Sequence, residues 1–302
     1  MLILFISKIV YSFLKMSKKK IILVINCPDK AGIIAAVSTF LFKRKLNILE
    51  SSQYKDSKNN QFFMRVCFTN LDKTQLVSLN NLKKDFLNIS KKYNMEFSFY
   101  DISKKQKILV MVSKFGHCLN NILYQWKIGS LNCEIPIIVS NHLDMKEIVK
   151  PYDIKYNLLK VNKNNKLKQE KKLYELILKN EIDLVVLARY MQVLSPNLCK
   201  LLEGKIINIH HSFLPSFKGA RPYNQAYLRG VKIIGATAHY VTNQLDEGQI
   251  IEQDVARVDH TKTLENFISI GRDIESLVLT RAINWHLEHR IIINENRTVV
   301  FN

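Results

Sequence analysis

No pair of cysteines in this chain is spaced as CxxC. The five present, Cys27, Cys67, Cys118, Cys133 and Cys199, are scattered and odd in number. That pattern excludes a zinc-ribbon site and a disulfide framework, and it fits a reducing cytoplasm. No metal ligand set is expected. Arginine is also scarce, at 10 of the 45 basic residues. It does not cluster with aromatics, as the side chains of a nucleic-acid reader do, so no nucleic-acid partner is expected. Nor is there an apolar run long enough for a membrane span. Residues 1–14 are apolar, but Lys8 interrupts them and Lys15 closes them, and no small-residue cleavage site follows. Met16, ahead of Ser17 and three lysines, reads as the natural start. Residues 1–15 then read as a misassigned extension, with an anchor or signal as the alternative.

What the chain does have is length and apolar content. Its 302 residues, 47% of them hydrophobic, suffice for two domains with cores. The formal charge of +19 is one-sided. Residues 203–302 hold 11 basic and 11 acidic side chains, so all of the excess lies in the first 202. A solvated Lys-rich surface accounts for it, and attraction of an anionic substrate is the alternative.

Periodicity divides the chain at a polar stretch, 101–106. Before it, a strand at 21–26, a helix from 33 to 42, strands near 47–55 and 61–69, a helix over 73–92 and a strand at 95–100 give the order βαββαβ. That is the ferredoxin-like split unit. After it, short apolar strands near 107–113, 135–140, 183–187 and 205–210 alternate with helices at 117–127 and 167–180, which predicts a mostly parallel sheet. Beyond 230 come longer strands at 231–241 and 250–258. A helix over 263–287 follows, N-capped by Thr263 with Glu265 in its first turn, and then a terminal strand or hairpin at 291–301.

The chemistry concentrates in Asn208-Ile209-His210-His211. Asn208 and His210 are two apart on a β-branched strand and share one face at its carboxyl end, where α/β sheets bind ligands. An amide N–H and an imidazolium N–H both donate hydrogen bonds to an oxygen that becomes negative when a carbonyl is attacked. Asp246, placed near the imidazole, supports its charge and receives a proton. This set suits attack on a formyl or acyl carbon without a metal or a covalent nucleophile. Cys118 beside His117 reads as a buried thiol rather than a nucleophile.

Longer strings identify a resemblance. Asn208-Ile209-His210 with Leu245-Asp246-Glu247-Gly248 resembles the formyltetrahydrofolate-dependent formyltransferase superfamily. Within it, Ala188-Arg189-Tyr190-Met191-Gln192-Val193-Leu194-Ser195, His211-Ser212-Phe213-Leu214-Pro215, Gly219-Ala220-Arg221-Pro222-Tyr223 and Thr237-Ala238-His239-Tyr240 resemble the formyltetrahydrofolate deformylases. Cys27-Pro28-Asp29-Lys30-Ala31-Gly32 resembles the ACT domain that precedes the hydrolase in that family. The resemblance implies an α/β protein with an ACT domain at 16–100, a linker at 101–106 and a formyltransferase-like catalytic domain at 107–302. It implies hydrolysis of 10-formyltetrahydrofolate to tetrahydrofolate and formate, supplying formate for one-carbon and purine metabolism. The catalytic trio is then Asn208, His210 and Asp246. Met191, Gln192, Val193 and Leu194, described as a strand, line the pterin pocket, with His211 and His239 beside the trio. No cofactor is implied beyond the folate substrate and water; an amino-acid effector of the ACT unit and a homo-oligomer are. In the superfamily's transferases a Gly/Ser-rich loop cradles a phosphate. Here Lys114-Phe115-Gly116-His117-Cys118-Leu119-Asn120 is bulky, and His211 replaces a proline. Both changes favour water as acceptor; transfer to an amine and a non-catalytic folate or amino-acid sensor remain the alternatives. Two departures from the family pattern are Asn121, where an acid is expected, and Ile-Lys-Tyr-Asn at 154–157.

Overall fold

The computed structural model describes residues 20–71, 77–216 and 222–302. The expected extension at 1–15 lies outside them, as do residues 219–221 of the Gly-Ala-Arg-Pro-Tyr string. Cα packing divides the chain into two units, with the break between Lys104 and Lys105. Among the described residues no helix is long and apolar enough to cross a membrane.

The first unit is a four-stranded antiparallel sheet in the order β2-β3-β1-β4. Its elements are β1 (Lys20–Pro28), α1 (Ile33–Lys43), β2 (Leu46–Asp56), β3 (Gln61–Asn70), α2 (Leu79–Tyr93) and β4 (Glu96–Asp101). This is the ferredoxin-like βαββαβ arrangement of ACT modules. Alternation along β1 sends Ile21, Leu23, Ile25 and Cys27 into one core with Val37, Phe40 and Leu41 of α1 and Leu82 and Phe86 of α2. Phe86 meets Phe40, Phe97 and Phe99 edge-on at 4.8–5.7 Å, a preferred aromatic geometry. Gly32 caps α1 at φ 90°, a left-handed value that costs a side-chain-bearing residue energy. The helix expected from 73 is seen from Leu79, where Ser78 accepts the Asn81 N–H as N-cap. Residues 72–76 lie outside the described ones.

The second unit begins with β5 (Gln106–Val112), α3 (His117–Lys127), β6 (Cys133–Ser140), a short α4 (Lys146–Val149), β7 (Lys155–Leu158), α5 (Lys166–Lys179) and β8 (Leu184–Leu187). It continues through α6 (Pro196–Leu201), β9 (Ile206–His210), α7 (Pro222–Leu228), β10 (Ile233–Tyr240), β11 (Ile250–Arg257), α8 (Leu264–Leu287) and the hairpin β12 (Ile291–Asn294) and β13 (Arg297–Val300). The seven-stranded sheet runs β11-β10-β9-β8-β5-β6-β7. Strands β5 to β9 are parallel, and β10 and β11 close one edge antiparallel. Ile108, Val110 and Val112 face α3 and α8, while Leu109 and Met111 face α5 and α6. Burial on both faces explains why these strands read as continuous apolar runs. Thr263 caps α8 through a capping box whose partner is Asn266.

Two sequence expectations change. Residues 155–158 form an edge strand, β7, that the polar stretch did not advertise. Residues 191–194 are not a strand but an irregular segment between β8 and α6. Arg189 at φ 62° turns the chain off the sheet, and Ser195 then caps α6 by accepting the Leu198 N–H.

Candidate active site

From β5 the chain goes outward to β6 and β7, then returns to lay β8 on the other side of β5. The carboxyl ends of β5 and β8 therefore flank a topological switch point, where open α/β sheets bind ligands. Ser113, just beyond β5, donates through Oγ to Asn141 Oδ1 at 2.7 Å and accepts the Met191 N–H at 3.0 Å. Its own N–H donates to the Arg189 carbonyl. The segment 191–194 is thereby tied to the switch point. Met191 and Val193 are exposed and Gln192 is partly so, whereas Leu194 points into the core.

Asn208 and His210 lie on β9, the next strand over. Antiparallel pairing puts His239 of β10 opposite Asn208 and Thr237 opposite His210. His239 Nδ1 is 2.7 Å from the Tyr240 carbonyl, which only accepts, so Nδ1 carries the proton. Burial pushes the ring below the ordinary histidine range, so His239 is neutral and its Nε2 offers a lone pair. Asn208 Nδ2 donates to it at 3.2 Å. His239 thus fixes which way round the Asn208 amide sits, leaving one N–H of that amide for another acceptor.

Asp246 comes from the turn between β10 and β11, at φ 58°. Its Oδ1 is 3.2 Å from His210 Nδ1 and 3.8 Å from His239 Nε2. Burial would raise its pKa, but the His210 hydrogen bond and the surrounding imidazoles outweigh that and lower it, so it stands as a carboxylate. Gly248 makes the turn possible: a Cβ there would come within 1.7 Å of the Tyr240 carbonyl oxygen. His210 is buried, and among the described residues its Nε2 has no hydrogen-bond partner. A buried imidazole nitrogen left over while its twin is held by a carboxylate is available to a ligand, as a lone-pair acceptor in the neutral ring and as an N–H donor in the imidazolium.

His211 follows His210 directly. Its ring lies 5.2 Å from His210 and 6.2 Å, edge-on, from Tyr223. Burial, followed by the Arg189 charge, pushes its pKa down to about 3, so it is a neutral imidazole. Thr237 holds the segment after His210 in place. Its hydroxyl donates to the Ser212 carbonyl and accepts from Leu214 N–H and Gln253 Nε2.

Asn208, His210, Asp246 and His239 thus come together, and His211 stands beside His210. Residues 191–194 lie at the carboxyl end of β8, without a bond to the trio. Sequence reasoning missed Glu275 of α8. It is buried and takes hydrogen bonds from His117 Nε2 at 2.8 Å and Tyr223 OH at 2.7 Å, with Arg189 Nε at 3.3 Å. Nothing in the helical pattern around it distinguishes it from a solvated glutamate. Cys118 is fully buried in α3, and burial raises its thiol pKa, so it is no nucleophile. Asn121 donates instead to Ser276 O and Thr280 Oγ1 of α8. In the other departure, Tyr156 OH donates to the His142 carbonyl at 2.6 Å.

The formyl transferase family profile matches residues 106–283. The formyltetrahydrofolate deformylase of Bacillus subtilis (strain 168) is 46% identical over 281 residues, 93% of each chain. That of Synechocystis sp. is 44% identical over 279 residues, covering 92% of this chain and 97% of the other. The crystal structure of a formyltetrahydrofolate deformylase from Pseudomonas syringae pv. tomato superimposes with a TM-score of 0.91 at 41% identity, covering 99% and 100% of the two chains. A glycinamide ribonucleotide transformylase from Symbiobacterium toebii aligns with only 66% of this chain, at TM-score 0.62 and 27% identity. With the match running through both units at this identity, the chain belongs to the formyl transferase family and, within it, to the formyltetrahydrofolate deformylases.

Proposed function

We propose that this protein hydrolyses 10-formyltetrahydrofolate to tetrahydrofolate and formate, with Asn208, His210 and Asp246 as its catalytic residues. The observation that carries the assignment of the trio is the unpartnered, buried His210 Nε2 beside an Asn208 amide already oriented by His239. With His210 as the imidazolium, its Nε2–H and the second N–H of the Asn208 amide are the two donors that a developing oxyanion requires. Water adds to the formyl carbon, and the carbonyl π electrons move onto oxygen, where Asn208 Nδ2 and His210 Nε2–H hold them. Asp246 accepts the proton lost by the water while its contact to Nδ1 supports positive charge on His210. Collapse of the tetrahedral species breaks the C–N bond. The proton passes from Asp246 to the leaving nitrogen, and formic acid departs, losing its remaining acidic proton to water as formate. His211, neutral, accepts a hydrogen bond from the attacking water. Residues 191–194 line the pterin. The trio performs this chemistry with its own side chains and the folate substrate.

The ferredoxin-like unit we read as a site for an amino-acid effector, in a homo-oligomer working in the cytoplasm. Five free, buried cysteines support that compartment. The decisive assay supplies purified protein with 10-formyltetrahydrofolate, with and without added amines, and measures formate and tetrahydrofolate. Equimolar release of both is expected. No release, together with formyl transfer to an amine, sinks the reading.

A further inference from the structure

Three of the sequence strings that the trio leaves unused meet at one carboxylate. His117 opens α3, Arg189 follows β8, Tyr223 lies in the first turn of α7, and Glu275 sits midway along α8. Glu275 Oε2 is 2.8 Å from His117 Nε2 and 3.3 Å from Arg189 Nε, while Oε1 accepts the Tyr223 hydroxyl at 2.7 Å. Phe115, in the bulky loop ahead of α3, lies within 6 Å of both the Arg189 and Arg272 guanidiniums. The Tyr223 ring rests on Gly271, where a Cβ would come within 2.1 Å of it.

His117, Cys118 and Glu275 present ligand-type atoms within 4.8 Å of one another. Both Glu275 oxygens are nevertheless already engaged by His117 and Tyr223, and Arg189 supplies the compensating charge as an ion pair. Such a unit is an expensive way to fill a core, because well-packed apolar residues of similar volume are often as stable. What distinguishes this one is where its members lead. Tyr223 packs against His211, which packs against His210. Arg189 forms the left-handed turn into residues 191–194, and its carbonyl holds Ser113.

We propose that Glu275 is a positioning residue for hydrolysis, holding Tyr223 and through it the His211 ring, and holding Arg189 at the head of the folate-lining segment. The step rests on the reading of His211 as the group that receives the attacking water. Burial and the Arg189 charge, which keep His211 neutral, support it.

Tyr223→Phe keeps the ring and removes only the hydroxyl, and Glu275→Gln keeps the shape and removes the charge. Losing a hydrogen bond to a buried charge should lower kcat roughly tenfold in Tyr223→Phe, with KM within about twofold. It should also shift the His211 ring ¹⁵N resonances. Glu275→Gln should lower kcat further and raise KM, since Arg189 loses its partner as well. Should Glu275→Gln fail to fold, Tyr223→Phe decides. Wild-type kcat and unmoved His211 resonances in Tyr223→Phe overturn the proposal. His211→Asn separates the two readings. Full kcat in that variant overturns the role of His211 and the clamp with it. Loss there, with full kcat in Tyr223→Phe, overturns the clamp alone.

Discussion

Replacing Asp246 with asparagine isolates one charge from everything else in the site. Asp246 adopts φ 58°, a left-handed conformation that asparagine tolerates well and alanine does not. The turn should therefore survive Asp246→Asn, while Asp246→Ala adds backbone strain to the loss of charge. The carboxylate oxygen is 3.2 Å from His210 Nδ1. For a fully charged imidazolium at an effective dielectric of about 20, that pair is worth roughly 5 kcal/mol. Relief of the burial that opposes ionisation of Asp246 offsets part of it. The remainder, together with the lost proton acceptor, corresponds to a fall in kcat on the order of 10²–10⁴. KM should stay within a fewfold, because residues 191–194, which we propose line the pterin, are untouched. Formate release under saturating and limiting 10-formyltetrahydrofolate measures both constants, and direct folate binding by fluorescence checks the ground state. Turnover within tenfold of the parent, with binding intact, would remove Asp246 from the mechanism. Equal losses in binding and turnover would mean that the turn had collapsed instead.

Gly248→Ala should damage the same turn from outside the chemistry. Its Cβ has no room beside the Tyr240 carbonyl, so a thermal melt should show a clear destabilisation alongside reduced formate release. An unchanged melting temperature would mean that the turn yields freely. Acid should unfold the protein through two partly buried histidines. His211 and His286 are held down to about 3 and about 4, each by burial first. In the unfolded chain both titrate near 6.5. As pH falls from about 6.5 towards 4, the unfolded state takes up protons that the folded state refuses, so stability present at pH 7 is lost. His286 alone should cost about 2–3 kcal/mol at pH 4.5, read as a lower urea midpoint; a midpoint equal at pH 7 and pH 4.5 would refute it.

Much of the architecture was legible along the chain because it is written in short-range periodicity. The helix at His117–Lys127 is where apolar spacing put it, and Thr263 caps α8 as its side chain suggests. Asn208 and His210 share a strand face by a rule that needs only their separation. What that spacing cannot carry is the identity of partners far away in sequence. The lone-pair acceptor that orients Asn208 is 31 residues away on an antiparallel neighbour, and Glu275 lies 52 residues from Tyr223. The turn at Arg189 is likewise a tertiary result, its ion pair with Glu275 and its bond to Ser113 being made only once β5, β8 and α8 are packed.

By itself the sequence determined the two-unit order of strands and helices, the strand-end amide and imidazole, and the family. Backbone geometry and hydrophobic period are local properties that each segment carries alone. Only the tertiary structure decided that His210 has one ring nitrogen against Asp246 and the other unpartnered, that His239 turns the Asn208 amide, that residues 191–194 leave the sheet, and that a buried glutamate gathers side chains from three distant segments. Proton positions, burial and charge compensation depend on which groups are brought within about 3 Å of one another, and a linear spacing does not specify that.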